Sequence, residues 1–233
     1  MMNMNEIKEY IQMMNSRDSN IYQYVYARKI MYQPWQELIE NYEKLSTEEI
    51  RDKFIEVMLS PNRVWGFKML DKYGILKNII PEFEDTKGMR AGNKYHHPEK
   101  DIFIHIIAAL SHLKRDSSIE LILATMLHDI GKPSTFHNHH FYNHDQIGAE
   151  MSEIILTRLR FHINIIQKVK WLILNHMRIR KFNEMKESKK IKLLEHKLFS
   201  QLLKLLDVDI MTNNKKILDD IQKFKSKQYY KED

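Results

Sequence analysis

A chain of 233 residues is long enough to bury a core without disulfides or a structural zinc, and its length allows one large domain or two small ones. It has no cysteine, which excludes thiolate metal sites and cysteine nucleophiles and fits a reducing compartment. Lys and Arg exceed Asp and Glu by six, a balance that suits a polyanionic substrate or partner but equally serves solubility. The N-terminal residues lack the pattern of a signal peptide, and no apolar run approaches the ~18–20 residues of a membrane span, so a cytoplasmic location is expected.

Only six glycines and five prolines interrupt a chain whose apolar residues recur at helical spacing, so the fold class expected is all-α. The spacing predicts helices over about 3–15, 19–31, 34–44, 47–59, 61–73, 101–114, 117–130, 145–160, 163–180 and 190–212. Ser46-Thr47-Glu48-Glu49 reads as a capping box at the start of one of them. Tyr22, Tyr24, Tyr26, Tyr32, Trp35 and Tyr42 make the first part aromatic, at spacings that suit a core better than a base-stacking platform. Pro81, Gly88, Gly92 and Pro98 punctuate a charged stretch that reads as a linker. It separates an N-terminal helical region, residues 1–90, from a C-terminal helical bundle, residues 95–233, whose Lys-rich tail from Gln222 is expected to fray.

The chemistry concentrates in Leu127-His128-Asp129-Ile130-Gly131-Lys132-Pro133, where an apolar helix delivers an adjacent His and Asp and is then stopped by Gly131 and Pro133. Imidazole nitrogen and carboxylate oxygen together suit a divalent ion. His105 lies on the stripe Ile102, His105, Ala109, and His112 shares that face; either could be a buried core histidine, the preferred reading for His112. Leu194, Leu198, Leu202, Leu205 and Asp209 form one stripe, which turns Asp209 inward and Asp207 outward. A buried, unpaired carboxylate would cost several kcal/mol, so an ion beside Asp209 explains it better than packing. His144, at a helix start, and His176, on the stripe Val169, Leu172, Ile173, His176, are candidates for a second ion, each with the alternative of a helix cap or a neutral core histidine. His137, His139 and His140 fall in a loop, Ser134 to Tyr142, where one could donate a proton.

A His, then an adjacent His-Asp, then a distant Asp, here His105, His128-Asp129 and Asp209, resembles the HD superfamily of metal-dependent phosphohydrolases. More narrowly, three stretches look like the C-terminal HD half of bacterial tRNA nucleotidyltransferases of the poly(A) polymerase family. They are His97-Pro98-Glu99-Lys100-Asp101-Ile102-Phe103-Ile104-His105, His128 to Pro133, and Phe141-Tyr142-Asn143-His144-Asp145-Gln146-Ile147-Gly148-Ala149-Glu150. Asn175-His176-Met177 and the Asp209 helix complete the order, and Glu49 to Asp52 with Leu76 to Glu82 resembles that family's segment between head and HD domain. The strand-rich head itself has no counterpart: no Gly-Ser pair occurs, and the one Asp-x-Asp, Asp207 and Asp209, falls in a helical pattern. Nucleotide addition by this chain alone is therefore not expected. Gly131-Lys132 also lacks the upstream glycine of a P-loop.

The resemblance implies one or two divalent ions, with Mn, Fe, Ni, Co, Zn and Mg not distinguished, held by His105, His128, Asp129 and Asp209 together with His144 and His176. Asp129 could bridge two ions through its two oxygens, and Lys132 is the residue expected to contact phosphate. The reaction implied is attack of a metal-activated water on phosphorus, with nucleotide or RNA-end phosphoesters as substrates. The rival readings are an RNA-binding module, or a partner subunit of a separate nucleotidyltransferase, with a non-catalytic metal site.

Overall fold

In a computed structural model the described residues are 34–90, 101–138, 140–210 and 215–229. The helices expected over 3–15 and 19–31, with Tyr22, Tyr24, Tyr26 and Tyr32, lie outside them, as do His139 and residues 91–100. The fold is all-α, with a helical N-terminal region leading into a helical bundle. Among the described residues no helix is long and apolar enough to cross a membrane.

Helix α1 covers 34–41 and runs into a 3-10 turn, Tyr42–Lys44. Helices α2 (Thr47–Leu59), α3 (Arg63–Lys72) and α4 (Ile75–Ile79) follow. The capping box forms as the spacing requires: Ser46 Oγ accepts from Glu49 N, and Glu49 Oε2 accepts from Ser46 N at 2.8 Å. Trp35 is buried and Tyr42 packs against the core, in line with a structural role for these two aromatics.

The first part of the stretch that reads as a linker is folded. Pro81–Thr86 forms a 3-10 helix in which Phe83 and Thr86 are fully buried. Phe83 meets Phe67 edge-on at 5.5 Å and Phe103 at 5.9 Å, and Phe67 and Phe103 stack at 5.7 Å. The turn-forming proline and the charges dominate the local sequence, but one aromatic side chain with a buried site decides the structure. The core residues on both sides of this segment belong to one apolar cluster. Arg63, the buried first residue of α3, adds a polar tie: its guanidinium donates to the carbonyls of Lys114 and Arg115 at 3.0 and 2.9 Å.

Helix α5 (Ile102–His112) starts at Asp101, whose carboxylate accepts from Ile104 N. Helix α6 (Ile119–Leu127) starts at Ser118, which accepts from Leu121 N. Every residue from Leu121 to Leu127 is buried, so α6 is covered all round. Helices α2, α5, α9 and α11 all pack on it. A short helix, α7 (Lys132–Thr135), and a small hairpin, β1 (Phe136–His137) with β2 (His140–Phe141), occupy the segment expected to be a loop. Helices α8 (His144–Arg158) and α9 (Ile163–Arg180) then pack along each other.

The single helix expected over 190–212 is two, α10 (Glu187–Leu194) and α11 (Phe199–Ile210). His196 accounts for the break: its ring stacks on Trp171 at 3.7 Å and its Nδ1 accepts from Leu198 N, so the side chain caps the second helix. Within the described residues the tail from Gln222 continues α12 (Lys215–Tyr229). Ile217, Ile221 and Phe224 recur there at helical spacing, Ile221 is buried, and Phe224 meets Phe182 edge-on.

Candidate metal centre

Five helices and the turn after α6 deliver six buried side chains to one site. His105 comes from the middle of α5, His128 caps α6, Asp129 lies in the turn beyond it, His144 opens α8, His176 lies near the end of α9, and Asp209 near the end of α11. The six residues expected as metal ligands are thus brought together, and Asp207 is exposed as its phase predicts. His112 is not a core histidine: as the last residue of α5 it is exposed, with Nδ1 donating to Ala108 O. His137 and His140 are exposed on the hairpin.

Helix α6 stops earlier than the motif suggests, and Pro133 opens α7 rather than ending α6. Gly131 has φ −81°, so it is not a left-handed helix stop. Its role is close approach: a methyl group there would lie 2.5 Å from Gly148 N and His144 O. The His128-Asp129 turn can therefore sit directly on the start of α8, which brings His144 to the cluster.

Three histidines are oriented in the same way. Nδ1 of His128 lies 2.8 Å from Thr125 O, that of His144 2.8 Å from Phe141 O, and that of His176 2.6 Å from Ile173 O. A carbonyl can only accept, so each Nδ1 carries the proton and each Nε2 faces the cluster. The Nε2 atoms of His144 and His176 are buried with no hydrogen-bond partner. His105 and His128 meet through their Nε2 atoms at 3.3 Å. Asp209 Oδ1 is 3.3 Å from His105 Nε2 and 3.4 Å from His128 Nε2. Asp129 turns Oδ2 toward His128 and His105, at 3.3 and 3.7 Å, and Oδ1 toward His144 at 3.6 Å.

Two groups have the spacing to hold an ion, His105, His128 and Asp129 on one side and Asp129, His144 and His176 on the other, and Asp129 belongs to both. The orphaned imidazole nitrogens and the nitrogen-oxygen donor set fit one or two divalent ions of the borderline class.

Two cations complete the site. Lys132 Nζ is 2.7 Å from Asp129 Oδ2 and buried, so it faces the cluster. Arg180 pairs with Asp209 Oδ2. Asp209 is therefore not an unpaired carboxylate, and the argument for an ion from its burial alone gives way to the one from the histidines. Arg180 escaped notice in the sequence, although it follows His176 by four residues and so shares its face.

Burial disfavours the proton on His128, but the carboxylates of Asp129 and Asp209 outweigh that and push its pKa up to about 10. Burial works against the ionised carboxylates as well, yet His128 and Lys132 hold Asp129 well below the usual range, and Arg180 and His128 do the same for Asp209. Burial, reinforced by the charge on His128, pushes His176 down to about 3 and keeps its ring neutral. In the metal-free protein the His128 imidazolium thus supplies positive charge that an ion would supply on binding.

It follows that loading must expel the His128 proton. Manganese affinity is expected to rise by about tenfold per pH unit between roughly pH 7 and 9. Calorimetry in buffers of different ionisation enthalpy would detect the released proton, and buffer-independent heats would contradict it. For stability the sign is the opposite. A raised histidine pKa contributes stability in full below about pH 6.5, and that contribution is lost as pH rises toward 10. Chelator-treated protein should therefore melt at falling temperatures from pH 7 to 10.

Two family models match this chain. Residues 102–224 match the HD domain family model, and residues 30–87 match the model described as "Probable RNA and SrmB- binding site of polymerase A". Over 139 residues, 56% of the chain, it is 34% identical to the A-adding tRNA nucleotidyltransferase of Deinococcus radiodurans. Over the same length it is 29% identical to the CC-adding tRNA nucleotidyltransferase of Thermus thermophilus. Each alignment covers 31% of the relative, so the chain spans about a third of the length of these proteins and is homologous to their C-terminal part.

Proposed function

Because the chain belongs to the HD-domain family, we propose that it is a metal-dependent phosphohydrolase acting on nucleotide or RNA-end phosphoesters. The observation that carries this reading is the position of Asp129 between two sets of histidine nitrogens, one carboxylate oxygen toward each. In it, His105, His128, Asp129 and Asp209 hold one ion, and His144 and His176 share Asp129 to hold a second. Divalent ions there would acidify a water and neutralise charge developing on phosphoryl oxygens.

The chain's own residues do the rest. The carbonyls of Thr125, Phe141 and Ile173 hold three imidazoles in one tautomer. Arg180 keeps Asp209 ionised with Oδ1 facing inward. Lys132 pairs with Asp129 Oδ2, within reach of a phosphate that approaches the same oxygen. Lys132→Met is expected to lower kcat/KM by about 10- to 100-fold, with most of the loss in KM; an unchanged KM would remove phosphate contact from its role.

The test is hydrolysis of a generic phosphodiester and phosphomonoester by purified protein with Mn, Co, Ni, Mg or chelator. Metal-dependent turnover supports the reading. Silence with every ion in a folded, metal-loaded protein moves it to the second reading, an RNA-binding module, which the match of residues 30–87 and the excess of Lys and Arg favour. RNA held through its phosphates should be released steeply with salt, whereas cleavage of a small ester should not depend on it.

A further inference from the structure

The positive charge of the chain is concentrated in its last helices. Between Lys181 and Tyr229 twelve lysines stand against seven carboxylates, which accounts for five of the six charges by which Lys and Arg exceed Asp and Glu. Packing joins the elements that bear them. Asn183, in the 3-10 turn Phe182–Glu184, donates through Nδ2 to Asp220 of α12. Lys190 of α10 lies 5.3 Å from the ring centroids of both Phe182 and Phe224, and its Nζ donates to Asn183 O at 3.2 Å. Helix α10, the turn and α12 thus form one surface. Ile217, Ile221 and Phe224 turn inward, which leaves Lys216, Lys223 and Lys227 exposed and within about 40° of one another around α12. Lys186 and Lys189 are exposed one turn apart at the start of α10. Among the described residues none of these five pairs with a carboxylate, whereas Lys53, Lys87, Lys168 and Lys170 elsewhere do.

We infer that α10 and α12 form a docking surface for the phosphate backbone of RNA, held by charge and without base recognition. Two other partners of a basic surface lack what they would need here. A basic helix that lies on a membrane turns an apolar face to the acyl chains, but the apolar face of α12 is packed on Phe182 and the core. A protein interface is built on aromatic and apolar anchors and is poor in Lys. None of the large apolar side chains exposed among the described residues falls between 181 and 229. Phosphates require only cations. The choice of RNA over DNA rests on the RNA reading given above, whereas the charge argument needs neither ions at Asp129 nor turnover. The surface is also separate from residues 30–87, the segment that matches the RNA-binding-site model.

Binding of a mixed-sequence single-stranded oligoribonucleotide to chelator-treated protein is measured against salt, so that loss of hydrolysis cannot be mistaken for loss of binding. Two paired variants are compared, Lys186→Gln with Lys189→Gln and Lys223→Gln with Lys227→Gln. Each pair should weaken binding by about 20-fold near ~0.1 M salt and flatten the logarithmic salt slope by about 1.4. The effects should add when the pairs are combined, and arginine at the same positions should retain binding. Lys114→Gln with Arg115→Gln removes as much charge from the exposed loop after α5 and should leave affinity and slope as in wild type. Melting temperature and hydrolysis of a small phosphoester should be unchanged in every variant. Equal weakening by the α5 control would make net charge the cause and overturn the inference. A wild-type slope in the four-lysine variant would also overturn it, leaving residues 30–87 as the RNA site. Tighter binding of DNA, polyglutamate or phosphatidylserine vesicles than of RNA would give the surface another partner and reject it. Lysine-dependent RNA binding in a protein without turnover leaves the surface standing and removes the hydrolase.

Discussion

Replacing Asp129 with alanine is expected to abolish metal-dependent phosphoester hydrolysis, on the order of 10³-fold or more, and to empty both halves of the metal centre together. The reason is that each ion-holding group contains this carboxylate, whereas every histidine serves only one. Truncation has a second consequence in the metal-free protein, where Asp129 offsets the charges of Lys132 and His128 in a buried site. Leaving those cations uncompensated should cost about 3–5 kcal/mol. Asp129→Asn keeps the shape and gives a milder fold defect, so a folded Asn variant without metal or turnover identifies the loss as chemical. Retention of full metal content by Asp129→Asn would contradict a shared ligand.

Gly131→Ala should be the most damaging small substitution in the motif. The added methyl would meet the backbone of Gly148 and His144 at 2.5 Å, and neither can swing aside as a side chain would. Relief requires α8 to move away from the His128-Asp129 turn, which withdraws His144 from Asp129. Overpacking against backbone should cost about 3 kcal/mol, lowering the melting temperature by roughly 6–12 °C for a chain of this size, with loss of turnover. Gly74→Ala is the control. Gly74 has φ 76° with open space around it, so its cost is backbone strain of about 1 kcal/mol and its effect on activity should be nil. Comparable losses of activity in both variants would mean that the Gly131 contact does not position the site.

What could be read from the sequence was whatever depends on period and adjacency. The stripe through Leu202 and Leu205 distinguished Asp209 from Asp207, because a helix face is a local property. His105 and His176 were legible as apolar-face histidines and His144 as one at a helix start, and the family pattern, not their spacing, turned them into ligands. Long-range contacts were not legible. The fold of Pro81–Thr86 depends on Phe67 and Phe103, which lie on other helices. The break before α11 depends on Trp171, about 25 residues away, receiving the His196 ring. Gly131 looked like a helix stop because glycine commonly ends helices, and the reason for it, a neighbouring backbone, lies in another element. Arg180 was missed because a basic residue at a helix end is ordinarily a solvated charge, and only the packing of α9 against α11 gives it Asp209 as a partner.

The central claim, that this cluster binds divalent ions in order to hydrolyse phosphoesters, is tested most directly by titrating chelator-treated protein with manganese while measuring bound metal and phosphodiester hydrolysis in the same samples. The account predicts no turnover before metal is added, turnover that rises with metal bound, and neither binding nor turnover in folded Asp129→Asn. Manganese bound tightly by folded protein with no hydrolysis of diester or monoester would contradict it.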